Sequence, residues 1–485
     1  MWTNQWTKSS PTRPAAAKPH ALPLAPSVPG VLCRPGMSAP GGVRPEVVVL
    51  GGGLTGISAA MHLGRPWLLL EKEARLGGHA RTESRDGHHF DRTGHWLHLR
   101  DPYTKGLVGE LLGDKMVRVE RRARIFANGA LTRYPFQANL FGQPPEVVKE
   151  CLLGFIDAWQ RRPGPDAPPP ADFEAFIHRH FGAGIARHFM IPYNHKLWGV
   201  HPREITSAWC ARFVPTPTLD EVVAGAVGAA PPEMGYNVSF LYPREGGIET
   251  LTRALAARLA GRPGEVMTGV SPDVIDARAR TLTIGGETVP WRALVATLPL
   301  PELLRRTRGL PAAVETAAAR LRSTPVRWFN LATRTPPPAD FHWIYVPEEK
   351  YPFYRVGIYS NAVPSMAPPG RGSLYVELAD RGPRPTGAAL DALRRDVAQG
   401  LAAAGAIARP DDVLFADLEE LEYAYVVFDD HYYAATETIR AWLEAHDVFP
   451  RGRYGAWTYN AMEDCILAGR EVAATIAERL AAKKA

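Results

Sequence analysis

Residues 45–78 read PEVVVLGGGLTGISAAMHLGRPWLLLEKEARLGG, and this stretch decides the fold. Val47 to Leu50 form a short β-branched apolar run of the kind that parallel sheets bury. Gly51, Gly53 and Gly56 follow as G-x-G-x-x-G, at the point where a strand turns into a helix. The first glycine permits the tight turn, the second lets the backbone approach a pyrophosphate, and the third lets helix and strand pack closely. Ile57 to Leu63 then read as a helix whose N-terminal N–H groups and dipole face the phosphates. A second apolar run, Trp67 to Leu70, ends at Glu71, about 20 residues past the first glycine, where a carboxylate accepts hydrogen bonds from an adenosine ribose. A lone glycine pattern is weak evidence. Strand, helix, second strand and acid in this order predict a dinucleotide-binding unit rather than an ordinary glycine-rich turn.

Outward from this stretch, Arg75-Leu76-Gly77-Gly78-His79 adds a glycine pair of the kind that extends the phosphate loop in flavoproteins, which favours FAD over NAD. Far downstream, residues 266–270, 281–284 and 291–299 read as strands returning to the nucleotide unit. Gly452 to Asp464 lead into an amphipathic helix from about Ile466 to Leu480, whose N-terminus is placed to face a flavin or its ribityl chain. The expectation is an α/β protein with a discontinuous Rossmann-like FAD-binding domain built from residues 45–133, 234–326 and 428–485. A helical subdomain spans 134–233, with helices at 145–160 and 172–181 around the proline-rich loop RRPGPDAPPPAD. Residues 327–427 alternate as strands at 327–332, 342–346, 354–360 and 373–378, punctuated by Gly and Pro, and predict a mostly antiparallel sheet subdomain. The helical insert and the sheet together would enclose a cleft over the isoalloxazine.

Composition narrows the function classes. A chain of 485 residues makes two or three domains, and 22% charged with 46% hydrophobic residues describes an ordinary soluble globular protein. The net charge of +6 favours an anionic substrate, yet no lysine-rich block points to nucleic acid. No run approaches the ~18 apolar residues of a membrane span. Cys33, Cys151, Cys210 and Cys465 are scattered without C-x-x-C spacing, which predicts reduced thiols and a cytoplasmic location, and no metal is called for. Residues 1–44 are rich in Pro, Ala and Gly, lack a continuous apolar export core, and predict a disordered tail. Met37, just upstream of the first strand, reads as the natural start.

Five further segments carry a family resemblance. They are Asp91-Arg-Thr-Gly-His95, Arg133-Tyr-Pro-Phe-Gln-Ala-Asn139, Phe189-Met-Ile-Pro-Tyr-Asn-His-Lys-Leu-Trp198, Trp343 through Arg355, and Arg451 through Tyr459. In this order, from about Pro45 to the end, the chain resembles UDP-galactopyranose mutase of the eukaryotic type, within the FAD-dependent amine oxidase and protoporphyrinogen oxidase-like superfamily. The resemblance implies FAD in its reduced form, a reductant such as NAD(P)H or a reductase, a UDP-sugar substrate, and an oligomeric state left open. It implies interconversion of the pyranose and furanose forms of a nucleotide sugar, foremost UDP-galactopyranose to UDP-galactofuranose. The route it implies is a covalent adduct between flavin N5 and the sugar, with UDP leaving and returning.

The same resemblance distributes roles. His95, next to Gly94, would lie against the flavin near N5, and Asp464 would sit on the cofactor side. Tyr134, Gln137, Phe189, Asn194 and Asn237 match positions that hold the uridine or its ribose. Arg355 matches the arginine that holds the diphosphate, and Tyr345, Tyr432 and Tyr459 match tyrosines that donate to it. Arg212 would be the partner of Arg355, but it falls one position from the family arginine, where Phe213 stands. Trp198 and Trp343 match cleft aromatics, and Arg453 matches an arginine near flavin and sugar. His95, Arg355, Arg453 and Tyr459 form the expected catalytic set. Beyond Tyr459 the chain reads Asn460-Ala-Met-Glu-Asp464, one residue shorter than the family stretch that touches galactose, which loosens the inference to galactose more than that to a nucleotide sugar.

Singly, Tyr134, Gln137, Phe189, Asn194 and Asn237 read equally well as core or turn, Arg355 as a solvated strand arginine, and His95 as an ordinary loop histidine. Two other readings stay open: an FAD-dependent oxidoreductase of the amine oxidase or protoporphyrinogen oxidase type, and an FAD-binding protein without catalysis. An oxidase has no need of a diphosphate set, and would gain from an apolar cleft and a lysine beside N5.

Overall fold

A computed structural model describes residues 45–164, 166–209, 214–229 and 238–483. The expectations for the first 44 residues, Cys33, Cys210, Arg212 and Asn237 lie outside these. A five-stranded sheet runs in the order Val448–Pro450, Ala293–Ala296, Val47–Leu50, Trp67–Glu71, Gly264–Thr268, and every pairing in it is parallel. Each residue of the first strand is buried, as the unbroken apolar run requires of a strand covered on both faces. Helix Leu54–His62 follows it, and Ser58 donates to the Ile466 carbonyl of the C-terminal helix Met462–Ala482 at 2.6 Å. Ile57, Ile466, Val472 and Ile476 are fully buried around this pair, each contributing roughly 1.5–3 kcal/mol of transfer free energy.

Residues 281–284 depart from expectation. They form a strand, Thr281–Ile284, but pair with Glu287–Pro290 and Val274–Asp276 in a separate four-stranded sheet instead of joining the nucleotide sheet. The reason is local: Gly285 and Gly286, with φ of 55° and 87°, close a two-residue hairpin, which commits the strand to its antiparallel neighbour.

A third sheet has seven strands in the order Val413–Val426, Ser323–Thr333, Gly372–Leu378, Phe353–Ile358, Trp343–Tyr345, Ala123–Ala127, Ala130–Arg133. Its last two strands come from before residue 134, and Trp343–Tyr345 pairs with Ala123–Ala127 in parallel, so the sheet draws on sequence outside 327–427. Period-two alternation divides its faces. Phe329, Leu331, Val356, Ile358, Val376 and Leu378 pack with Val397 and Leu401 of helix Gly387–Ala403. Trp328, Asn330, Arg355, Tyr375 and Glu377 alternate with them and belong to the opposite face.

The helical insert comprises Pro145–Gln160 and Phe173–Ile185, then one π-helical segment, Ala186–Met190, and helix Ile191–Trp198. Among the described residues, no helix is long and apolar enough to cross a membrane.

Candidate active site

The phosphate-binding end is built from backbone. A Cβ on Gly56 would lie 1.9 Å from the Gly51 carbonyl oxygen, so only glycine lets the helix start this close to the strand. Gly51 itself has φ of 98°, and Gly53 is the N-cap of helix Leu54–His62. The Gly77 N–H donates to the Gly52 carbonyl at 2.8 Å, and a Cβ on Gly78 would sit 2.9 Å from the Cα of Gly53, which brings the two glycine loops face to face. Glu71 is buried at the strand end and accepts from the Gly52 N–H at 2.7 Å and the Glu73 N–H at 2.8 Å. Helix Met462–Ala482 brings a second N-terminus, where Asp464 accepts from the Ala461 N–H at 2.8 Å. Two buried polar atoms on this side have no protein partner: His79 Nδ1 and Arg81 Nε. A glycine cradle, two helix N-termini and two partnerless buried nitrogens fit a dinucleotide carrying a pyrophosphate. FAD would be held there by Gly51, Gly53, Gly56, Gly77, Gly78, Arg81 and Glu71.

His95 follows a strained corner, since Thr93 has φ of 67°. The Tyr359 hydroxyl pins that corner, 2.8 Å from the Thr93 carbonyl and 3.0 Å from that of Asp91. Gly94 lies beneath the Tyr375 hydroxyl, which a Cβ would meet at 2.4 Å. Burial lowers the His95 pKa to about 4, with repulsion from Arg453, Arg355 and Arg92 adding to it. Burial likewise lowers that of His79 to about 3, and its ring packs edge-on to Tyr454 at 5.1 Å. Both imidazoles are therefore neutral at physiological pH, each with one ring N–H donor and one ring-nitrogen acceptor.

Strand register assembles the opposite wall. Tyr345 stands across from Arg355, Arg355 from Glu377, Glu377 from Trp328 and Trp328 from Glu419, giving one transverse row. Arg355 forms a short ion pair with Glu377 and donates to the Tyr425 hydroxyl at 3.3 Å. Glu377 is 1% exposed, and its Oε2 and Arg355 Nε both lack protein partners. Arg453 is fixed by the Asn460 and Ala424 carbonyls, each at 3.0 Å, and lies over the Tyr459 ring at 4.5 Å. Tyr459 in turn is parallel to Tyr425 at 6.5 Å. Burial holds Tyr134, Tyr193, Tyr345, Tyr354 and Tyr425 protonated, the last with its pKa pushed up to about 12. These phenols are donors, not anions.

Phe189, inside the π-helical turn, stacks on Phe136 at 5.0 Å and on Tyr193 at 5.2 Å, and Tyr193 meets Tyr345 edge-on at 5.3 Å. Tyr134 also reaches Tyr345, at 5.3 Å, under the Arg121 guanidinium. Asn194 donates to the Met190 carbonyl at 2.7 Å and Gln137 to the Pro215 carbonyl at 3.0 Å, so these amides hold the insert's own backbone. Trp198 packs edge-on to Tyr425 at 5.5 Å, and Trp343 stacks on Trp96 at 5.8 Å.

Tyr134, Phe189, Trp198, Tyr345, Arg355, Arg453 and Tyr459 thus belong to one connected cluster, and His95 lies within electrostatic reach of its two arginines. Tyr432 stands at its edge: its hydroxyl donates to the Trp457 carbonyl at 2.7 Å, and its ring packs on Phe428, which meets Trp198 edge-on at 6.3 Å. Tyr425, seven residues earlier, is the tyrosine that reaches Arg355. Sequence reasoning missed Tyr425, Tyr193, Glu377 and His79. Tyr193 and His79 stood inside quoted motifs, whereas Tyr425 and Glu377 are brought to the cluster by cross-strand register.

These features define a flavin-dependent enzyme. The sequence pattern of the flavin-containing amine oxidoreductase family matches residues 54–477, and the chain belongs to that family. A reduced UDP-galactopyranose mutase is similar in structure, with a TM-score of 0.83 and 26% identity over 90% of this chain and 94% of that one. A putrescine oxidase with bound putrescine shares the fold, with a TM-score of 0.61 and 16% identity over 90% of this chain and 99% of that one. A nicotine dehydrogenase of Pseudomonas putida is 28% identical over 135 residues, which is 26% of this chain and spans 27% of that relative's length.

Proposed function

We propose that the protein is an FAD-dependent mutase that interconverts the pyranose and furanose forms of a nucleotide sugar, foremost UDP-galactopyranose. One observation carries the reading. A run of packed rings, Phe136, Phe189, Tyr193, Tyr345 and Tyr134, continues into Arg355, Tyr425, Arg453 and Tyr459. A planar base suits the rings, and a diphosphate suits two guanidiniums surrounded by phenol donors. Likeness to the mutase at 26% identity along 94% of its chain supports the same reading.

Reduced flavin, when bound, supplies the nucleophile for exchange at the anomeric carbon. The chain's own side chains do the rest. Arg355 and Arg453 orient the diphosphate and offset charge as it departs, and Tyr345, Tyr425 and Tyr459 donate to its oxygens. Neutral His95 offers one hydrogen-bond donor and one acceptor beside the reacting centre.

A second reading, oxidation of an amine, draws on the buried Glu377. This carboxylate already balances Arg355, and several phenol rings surround the pair, a setting in which a small cation is also favourable. Titration of the oxidised holoprotein with UDP and with aliphatic amines separates the two. The mutase reading expects a saturable shift of the flavin bands with UDP and none with amines. Anaerobic bleaching of the flavin by an amine, with no response to UDP, would reverse the conclusion.

A further inference from the structure

The motif running from Phe189 to Trp198 contains a lysine that none of these roles uses. Lys196 is 7% exposed. Its Nζ lies 3.2 Å from the Val346 carbonyl oxygen, 2.8 Å from that of Glu348, 3.0 Å from that of Tyr351 and 2.6 Å from that of Phe353. Three N–H donors serve four acceptors, and each acceptor belongs to backbone. Burial lowers the pKa of the amine to about 7, and the Glu348 and Glu349 carboxylates oppose that fall. Carbonyl dipoles replace water around the ammonium, the condition under which a buried charge is tolerated.

The location of this cage matters more than its depth. Residues 346–352 are the turn that joins Trp343–Tyr345 to Phe353–Ile358, the hairpin in which Tyr345 and Arg355 face each other. The helix that carries Lys196 also carries Tyr193, Asn194 and Trp198. A second tie acts at the same helix end. Arg381 donates to the Lys196 and Leu197 carbonyls at 3.0 and 3.3 Å and also to that of Leu378, at the end of the strand that carries Glu377. An aliphatic residue would fill the space occupied by the lysine stem, but it would take the ammonium donors away from all four carbonyls, of which that of Glu348 keeps a second donor, the Tyr351 N–H at 3.3 Å.

We infer that Lys196 is a positioning residue: it pins helix Ile191–Trp198 to the turn of the Tyr345–Arg355 hairpin and thereby sets the spacing between the two walls of the cleft. The inference rests on the reading of that cleft as a nucleotide site. Lys196→Met holoprotein should keep its flavin content and absorption spectrum. UDP affinity, read from the flavin bands, should fall about 10- to 100-fold, the scale on which small misplacement of binding groups acts. Hydrogen exchange should quicken in residues 346–353, and the losses of affinity in Lys196→Met and Arg355→Ala should be non-additive, which a merely stabilising lysine would not produce. Should Lys196→Met fail to fold, Lys196→Gln retains two donors and should show an intermediate loss of affinity.

UDP binding within twofold of wild type in a flavin-loaded variant overturns the inference. If wild-type holoprotein itself ignores UDP, the nucleotide reading fails instead. The pin is then judged by exchange alone: quickened exchange at 346–353 in the variant upholds it, and unchanged exchange removes it.

Discussion

Replacing Arg355 by alanine separates two roles that its position combines. Its guanidinium pairs with Glu377, whose side chain is 1% exposed, while 22% of Arg355 remains accessible. Glu377 Oε2 already has no protein partner, so the variant leaves a buried carboxylate with its main counter-charge removed. Removing one partner of a buried pair costs about 3–5 kcal/mol, and the Arg355→Ala protein should be destabilised on that scale. The double variant Arg355→Ala/Glu377→Gln no longer buries the orphaned charge and should recover most of the loss. Binding behaves differently. If Arg355 holds a diphosphate, both variants lose a charge-assisted contact of about 1.5–3 kcal/mol, or roughly 10- to 150-fold in Kd. Chemical denaturation measures the first effect, and titration of the flavin absorbance with UDP the second. A double variant that binds UDP as wild type does removes Arg355 from the site. An Arg355→Ala protein as stable as wild type refutes the buried pair.

Gly56→Ala should yield protein without flavin, because the added methyl would lie 1.9 Å from the Gly51 carbonyl oxygen; the ratio of flavin to protein absorbance checks this, and a normal ratio would contradict it. Tyr432→Phe removes the donor to the Trp457 carbonyl and should cost about 0.5–1.5 kcal/mol of stability with UDP affinity unchanged, whereas Tyr425→Phe should weaken UDP. A tenfold loss of UDP binding in Tyr432→Phe would place that hydroxyl in the cleft. Acid should destabilise the fold. Burial lowers the pKa of His79 to about 3 and those of His95, His98 and His342 to about 4 from 6.5, so the unfolded chain takes up protons that the folded one refuses. Stability should therefore fall as pH drops from about 6.5 towards 4, by about 1.4 kcal/mol per pH unit for each proton. Asp91, raised to about 7 by burial, acts the other way, adding stability in acid that is lost as pH rises through 7. Urea unfolding at about pH 7 and pH 5 should show the net loss in acid, and equal midpoints would contradict it.

The nucleotide unit was legible because everything that specifies it is local: a β-branched run, glycines at fixed offsets and an acid one strand later. Helix Pro145–Gln160 was legible for the same reason, in its apolar period and its proline at the first turn. The apolar run Thr281–Ile284 alone did not say which sheet it joins, since a strand run records burial and not its partner; the Gly285-Gly286 turn after it carried that signal. The site divides likewise. Arg355 and Tyr345 are in one hairpin, and a motif that short keeps them together. The approach of Tyr425 and Glu377 to Arg355 depends on register between strands from 22 to 70 residues apart. A register shift of one residue would turn every side chain of a strand to the other face, and family likeness, which picked out Tyr432 on helix Tyr432–Ala445, carries no information on that register.

The central claim is that the cleft supports isomerisation of a nucleotide sugar. Its most direct test is anaerobic incubation of chemically reduced holoprotein with UDP-galactopyranose, followed by chromatographic analysis of the sugar nucleotides. The account predicts UDP-galactofuranose, formed without consumption of oxygen or net oxidation of the flavin. Unchanged UDP-galactopyranose, together with peroxide release when the oxidised protein meets an amine in air, would contradict it.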